Sequence, residues 1–140
     1  AIEDHIDRDA ACWDEILNQG KRLFGVATDD GHHPEHCCKG WVMVRAENNV
    51  DSILKALEEG AFYSSCGPKI YDFCLEDNVL RIKCDPVSMI RIHSDHIPVA
   101  IRGENMTEYE IRLERKRSFL RVTITDAEGR MAWTNPLFFD

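Results

Sequence analysis

The 140-residue sequence predicts an α+β protein made of two parts, and three observations lead to that fold class. Residues 1–66 alternate between helical patterns and short apolar runs, as the last βα units of a larger parallel sheet would. Residues 67–140 contain about seven short runs of alternating apolar and polar residues, which is typical of a small Ig-like antiparallel β-sandwich. The polar segment 64–68 separates the two patterns, so we predict a domain boundary near Gly67.

Two segments of the first part have the periodicity of helices. Between residues 9 and 18, apolar residues recur at intervals of three and four, which predicts a helix. The stronger pattern covers Val50–Glu59, where four apolar residues share one face. Asn49 is a suitable N-cap and Gly60 a suitable terminator, so both ends of this second helix are predicted.

The strands are predicted from apolar runs and from alternation. Residues 23–27 form a short apolar run that ends at a polar cluster, as a buried strand leading into a loop would. Trp41–Val44 is a second such run. In the second part, clusters of turn residues divide the chain into alternating segments. The predicted strands there cover residues 70–75, 79–84, 88–93, 99–102, 109–113, 119–125 and 137–139.

Composition and charge argue against several classes of function. The chain carries 25 acidic and 17 basic residues, a formal net charge of -8, which disfavours a surface for sequence-independent nucleic-acid binding. No apolar run reaches the roughly 18 residues that a membrane-spanning helix needs, and the first residues lack the pattern of a signal peptide, so we expect a cytoplasmic protein. The six cysteines are too sparse for a disulfide scaffold and are expected to be reduced.

One short segment combines residue types that carry chemistry. Asp29, Asp30, His32 and His33 follow the predicted strand 23–27, and α/β folds place their chemistry at the carboxyl ends of strands. In an extended segment Asp30 and His32 would point the same way, so that a carboxylate and an imidazole could bind one divalent metal ion of the zinc or manganese type. The alternative is that the acidic cluster caps a helix or forms a solvated turn.

A second metal hypothesis adds His36, Cys37 and Cys38, which lie close to His32 and His33 in the sequence. Structural zinc sites use two spaced pairs of ligands, and adjacent cysteines fit that arrangement poorly. A closed zinc site is therefore the less favoured alternative.

In the second part, two clusters have binding chemistry, and for both we favour a solvated surface. His93, Asp95 and His96 are expected in an exposed polar loop between strands. A basic stretch is expected on a solvated strand face, because Glu110 and Glu114 interrupt it. Its members are Arg112, Arg115, Lys116, Arg117 and Arg121.

Several runs, in order along the chain, resemble the PHP (polymerase and histidinol phosphatase) superfamily. Residues 21–32, KRLFGVATDDGH, resemble the last metal-ligand motif of that superfamily. Residues 40–46, GWVMVRA, and residues 62–68, FYSSCGP, are similar to the run that closes the barrel in one stand-alone PHP subgroup. Residues 124–130, ITDAEGR, and residues 132–137, AWTNPL, look like the end of the small β domain appended in that subgroup.

The resemblance implies a fold, a reaction and a pair of metal ligands. PHP proteins are distorted (β/α)7 barrels in which divalent metals, here expected to be Zn, Mn or Fe, activate water for hydrolysis of a phosphate mono- or diester. The D-x-H pair of the motif falls on Asp30 and His32, which are therefore the predicted metal ligands. Their neighbours Asp29 and His33 have no assigned ligand role.

The resemblance also predicts that the chain is only part of an enzyme. The other metal ligands of the superfamily come from motifs near the N-terminus, including an H-x-D-x-H run, and none has a counterpart in residues 1–66. We therefore expect residues 1–66 to be the C-terminal end of a barrel that is inactive alone and self-associates through exposed strands. The complete enzyme would bind a small phosphorylated substrate. The alternative is a non-enzymatic binding or interaction module built on the β-sandwich of residues 67–140.

Overall fold

The structure is a computed structural model that describes residues 3–95 and 98–140, with the side chains of the first helix described from residue 8 onward. Two helices and eight strands lie within these residues, together with one short 3-10 turn, Pro34–His36. The helices are α1 Glu3–Asn18 and α2 Val50–Glu59. The strands are β1 Trp41–Val44, β2 Phe62–Ser65, β3 Ile70–Glu76, β4 Val79–His93, β5 Val99–Arg112, β6 Phe119–Thr125, β7 Met131–Thr134 and β8 Leu137–Phe138.

The strand pairings that join these elements are antiparallel. The main sheet runs in the order β1-β2-β7-β6-β4-β3, with β5 paired to β4 and β8 paired to β6. The pairing of β2 with β7 places Ser64 opposite Trp133, so strands from both sides of Gly67 share one sheet. The sheet curves into a half-barrel.

The predicted fold class is wrong. The chain is 44% strand and 18% helix, whereas part of a (β/α)7 barrel would be rich in helix. The strands that flank α2 pair antiparallel, with Trp41 opposite Ser65, so they do not form the parallel βα units expected for residues 1–66. The strands of residues 67–140 belong to the same half-barrel rather than to an Ig-like sandwich. Periodicity identifies a strand but not the strand it pairs with, which is why the sequence pattern led to the wrong architecture.

The helices are located well by the sequence because their end signals are local. α2 has the predicted bounds, and the Asn49 side chain accepts a hydrogen bond from the Ser52 N–H at 2.9 Å. Gly60 ends the helix in the left-handed conformation, with φ +74°. α1 ends at Asn18 as predicted but begins earlier than residue 9, at Glu3.

Several strand predictions differ from the structure. Residues 79–84 and 88–93 form the single long strand β4, in which the register with β5 shifts between Lys83 and Met89. β5 likewise joins the two predicted runs at 99–102 and 109–113. Neither β2 nor β7 is among the predicted strands, because four residues are too few to show an alternating pattern. Residues 23–27 are not a strand, because side chains rather than a neighbouring strand bind their backbone.

The main core lies on one face of the curved sheet. It is formed by alternate residues of β4 and β6 together with one residue of β7, namely Leu80, Ile82, Cys84, Val87, Ile90, Ile92, Leu120, Val122, Ile124 and Ala132. The opposite face of β6 is also buried, since Arg121 and Thr123 lie beneath α1. β6 is therefore the central strand of the molecule.

In the described part of the chain, neither helix combines the length and the apolar character that crossing a bilayer requires.

Candidate functional site

The loop that carries the predicted metal ligands is closed by Asp29. Its carboxylate accepts hydrogen bonds from the backbone N–H groups of Cys38 at 2.8 Å, Lys39 at 2.6 Å and Gly40 at 2.8 Å. The bond from Gly40, followed by those from Lys39 and Cys38, lowers the pKa of Asp29 below its ordinary value of 3.8. Asp29 thus joins the two ends of the loop, and its oxygens are already engaged by the protein itself.

Asp30 and His32 lie at the exposed surface of this loop. The His32 Nδ1 atom is 2.7 Å from the Asp30 carbonyl oxygen, which can only accept, so Nδ1 carries the hydrogen. Asp30 has φ +46°, in the left-handed region, so the segment is not extended there. Alternation along a strand therefore does not align the Asp30 and His32 side chains, and the turn at Asp30 instead places the His32 ring against the Asp30 backbone carbonyl.

The remaining histidines and cysteines of the loop lie nearby but are not arranged as a closed zinc site. The ring centroid of His36 is 5.3 Å from that of His33 and 6.5 Å from that of His32. The Nδ1 atom of His36 accepts the backbone N–H of His32 at 3.3 Å. Cys37 and Cys38 are exposed. Among the side chains that the structure describes, no group of three histidine, cysteine, aspartate or glutamate residues is arranged to hold a metal ion.

Residues 23–27, which lead into the loop, are held by side chains instead of by a neighbouring strand. The Gly25 N–H donates to the Asn135 side chain at 3.1 Å, and the Ala27 N–H donates to the Ser64 hydroxyl at 2.9 Å. Ser64 in turn donates to the Gly25 carbonyl at 3.0 Å. Ser64 and Asn135 are buried, so these contacts replace the hydrogen bonds that a strand partner would make. In the sequence, Ser64 and Asn135 are polar residues close to apolar strand residues, and that position was the available sign that they bind backbone groups.

A second polar cluster, which the sequence analysis missed, is buried between α1 and the sheet. Asp14 of α1 accepts hydrogen bonds from Arg121 Nε at 2.6 Å and from His93 Nδ1 at 2.8 Å. The Arg121 guanidinium also stacks on the Trp13 ring, 4.6 Å from its centroid. Arg121 is completely buried and His93 largely so, which contradicts the solvated surfaces predicted for both.

The protonation states in this cluster follow from its contacts. Burial, reinforced by the charge of Arg121, lowers the pKa of His93 despite the hydrogen bond to Asp14, so the imidazole is neutral at neutral pH. Burial opposes ionisation of Asp14, but the hydrogen bond from His93 and the charge of Arg121 outweigh it and lower the pKa. The His93 Nε2 atom then accepts from the Thr123 hydroxyl at 3.1 Å, and that hydroxyl accepts from Arg121 at 3.1 Å.

Thr123, His93 and Asp14 follow one another in the order of a nucleophile, a base and an orienting carboxylate. Thr123 is only 4% exposed, however, and its hydroxyl is also held by Arg121. A surface cavity of about 450 Å³ reaches Asp14 and His93 but is not lined by Thr123. The hydroxyl is therefore closed to a substrate in this structure, and the cluster joins α1 to the sheet through Asp14.

Asp95, the second member of the predicted polar loop, also has a structural role. Its carboxylate accepts the Ser118 backbone N–H at 3.1 Å and the Ser118 hydroxyl, which connects the end of β4 to the start of β6. His96 lies outside the described residues.

No protein-family model matches the chain, and neither a curated protein nor a solved structure shows significant similarity to it. The fold and the loop geometry define the chain as an antiparallel half-barrel protein. The Asp30 carboxylate and the His32 imidazole are exposed on its closed loop.

Proposed function

We propose that Asp30 and His32 bind a divalent metal ion, and that the chain acts as the C-terminal part of a metal-dependent phosphoesterase for a small phosphorylated substrate. The support for the reaction is the resemblance of residues 21–32 to the PHP metal-ligand motif. The support for the site is the orientation of the His32 ring.

The contact between His32 and the Asp30 carbonyl is the observation that carries the proposal. Histidine ligands of metals commonly donate their second ring N–H to a backbone carbonyl, which fixes the ring and makes the other nitrogen more basic. In His32 the hydrogen on Nδ1 leaves the Nε2 lone pair available for a metal ion. The ring is thus held in the tautomer that a ligand needs.

Asp30 supplies the second donor. Its carboxylate makes no hydrogen bond or ion pair within the described residues, and the side chain is exposed. Asp29 holds the ends of the loop with its own carboxylate, so it keeps the loop closed without using either proposed ligand. One carboxylate and one imidazole suit zinc, manganese or iron.

Two ligands fit only part of a metal coordination shell, because zinc takes at least four donors. The remaining protein ligands would come from residues other than those described. When bound, such a metal lowers the pKa of water and neutralises charge on phosphate oxygens. We also propose a cytoplasmic location, in keeping with six cysteines that are unpaired in the structure.

The test is a Co²⁺ and Mn²⁺ titration of the chain with NMR detection. We expect line broadening centred on residues 29–36, weak affinity, and a loss of most of the effect in Asp30→Ala and His32→Ala. His33→Ala is the matched control, since it removes a neighbouring imidazole with no proposed ligand role. Equal loss in all three variants, or a long-range ¹H–¹⁵N spectrum that shows the hydrogen of His32 on Nε2, would contradict the proposal.

A further inference from the structure

A cavity of about 570 Å³ opens beside the turn that joins β5 to β6. Three consecutive basic residues, Arg115, Lys116 and Arg117, form one side of it, and the half-buried rings of Phe138 and Phe139 form another. Its volume falls within the range of roughly 300–1,000 Å³ that is usual for small-molecule sites. No residue of the loop that carries Asp30 and His32 lines this cavity.

The walls of the cavity are held in place by backbone contacts. The Leu113 N–H donates to the Asn78 carbonyl at 2.7 Å, which ties the turn to the β3–β4 hairpin. The Phe139 N–H donates to the Ser118 carbonyl at 3.1 Å, which ties the last residues to the start of β6. These contacts fix the backbone on two sides of the cavity, while the Arg115 and Lys116 side chains are exposed.

The local charge of the cavity is opposite to that of the whole chain. The protein has a net charge of -8, yet three cations line this cavity. Two acidic residues also line it, but Asp140 already pairs with Arg22, which leaves Glu114 as the opposing charge. None of the three cations makes an ion pair within the described residues. The site therefore carries an uncompensated positive charge.

Arg117 differs from the other two cations because it is half-buried, whereas Arg115 and Lys116 are exposed. Its side chain is half-buried, and its Nε atom is buried with no hydrogen-bond partner in the described part of the chain. Buried donors in native proteins are nearly always paired, and an unpaired one destabilises the fold. The Nε atom is shielded from solvent, so a ligand oxygen would reach it only after the Arg117 side chain turns toward the cavity.

We propose that this cavity binds a small aromatic molecule that bears a phosphate group. A phosphate monoester carries close to two negative charges and has several acceptor oxygens, so it matches adjacent arginine and lysine side chains better than a carboxylate does. Leu113, Phe138 and Phe139 line the cavity as well and give an aromatic ring an apolar contact, and the Phe138 ring already packs against Phe24 and Arg22. This inference does not depend on the proposed metal site.

The experiment is a titration of ¹⁵N-labelled protein with phenyl phosphate, followed by amide chemical shifts. We expect saturable shifts at residues 113–117 and 138–140, and dissociation constants about tenfold higher in Arg115→Ala and Lys116→Ala. Arg102→Ala is the matched control, because it removes an exposed cation from β5 that does not line the cavity. Melting temperatures of all variants check that a loss of binding is not a loss of folding.

Separate titrations with inorganic phosphate and with phenol distinguish the two parts of the ligand. We expect both to bind more weakly than phenyl phosphate by at least about fivefold. Equal binding of inorganic phosphate would contradict the aromatic contact, and equal binding of phenol would contradict the role of charge. Absence of saturation below about 10 mM phenyl phosphate, or equal weakening by Arg102→Ala, would overturn the site.

Discussion

Asp29 shows how one side chain can organise a loop that has little secondary structure. Its carboxylate receives three backbone N–H groups from residues 38–40, whereas the adjacent Asp30 has no such partners. The sequence motif assigned a ligand role to Asp30 and no role to Asp29. The approach of residues 38–40 shows that Asp29 closes the loop.

We predict that Asp29→Ala opens the loop and that Asp30→Ala does not. Loss of the acceptor should speed amide hydrogen exchange at Cys38, Lys39 and Gly40, and Asp30→Ala is the matched control at the neighbouring position. Measurement by NMR at constant pH gives the comparison. Faster exchange in Asp30→Ala but not in Asp29→Ala would contradict this prediction, because it would show that the Asp30 carboxylate closes the loop.

The same contacts predict the effect of acid on the loop. Because the pKa of Asp29 is lowered in the folded state, its contribution is complete above the ordinary value of 3.8 and is lost as pH falls through the folded-state pKa. Protection of the three amides should therefore persist down to pH 3.8 and decline below it. Asp29→Asn, which cannot be ionised, should remove this dependence.

At the scale of elements, α1 is fixed by a buried ion pair as well as by apolar contact. Leu17 is 2% exposed, and within the described residues Asp14 of α1 is the only acidic partner of the fully buried Arg121 of the sheet. Removal of one member of a buried pair leaves the other charge without compensation, which costs about 3–5 kcal/mol.

We therefore predict that Asp14→Ala destabilises the protein by about 3 kcal/mol in urea unfolding. Glu15→Ala, at the exposed neighbouring position, should change the free energy of unfolding by less than about 0.5 kcal/mol. The double variant Asp14→Ala with Arg121→Leu should recover part of the loss, since no unpaired charge remains. A double variant as unstable as the sum of its parts would contradict this account.

The end of α2 allows a second prediction at this scale. Gly60 has φ +74°, and a Cβ atom there would lie 2.5 Å from the Phe24 ring. Gly20 has φ +82° at the end of α1, but nothing lies within 4 Å of its Cβ position. Gly20→Ala should thus cost about 1 kcal/mol for backbone strain alone, and Gly60→Ala about 2 kcal/mol or more. Equal losses in thermal unfolding would show that the Phe24 ring moves aside freely.

At the scale of the whole molecule, the pairing of β2 with β7 connects residues that lie on opposite sides of the predicted boundary near Gly67. β7 is itself paired with β6, which contributes three core residues and is in turn paired with β4, the strand that carries most of the core. Separation of residues 1–66 from residues 67–140 would leave the paired edges of β2 and β7 without their backbone partners. The sheet therefore favours one cooperative unit.

We predict a single unfolding transition in urea, reported equally by tryptophan fluorescence and by far-UV circular dichroism. Trp13 and Trp41 lie before the predicted boundary and Trp133 after it, so single-tryptophan variants can follow each part separately. Coincident midpoints are the expected result. Two midpoints would instead support two domains with a boundary near Gly67.

The sequence by itself determined the features whose causes are local. The bounds of α2 follow from one apolar face, an asparagine cap and a glycine terminator, all within about a dozen residues. The positions of most strands also follow from alternation, because the side chains of a strand alternate between its faces whatever it pairs with.

Tertiary structure decided the features that depend on which distant residues meet. The sequence could not show that β2 pairs with β7, that Arg121 lies beneath α1, or that Asn135 holds residues 23–27. For the same reason the structure is a half-barrel and not the predicted barrel end and sandwich. Every strand edge offers the same backbone N–H and C=O groups, so the packing of the whole chain decides which strands pair. Of the proposed ligands, the sequence located Asp30 and His32, whereas the turn that orients the His32 ring is a property of the folded loop.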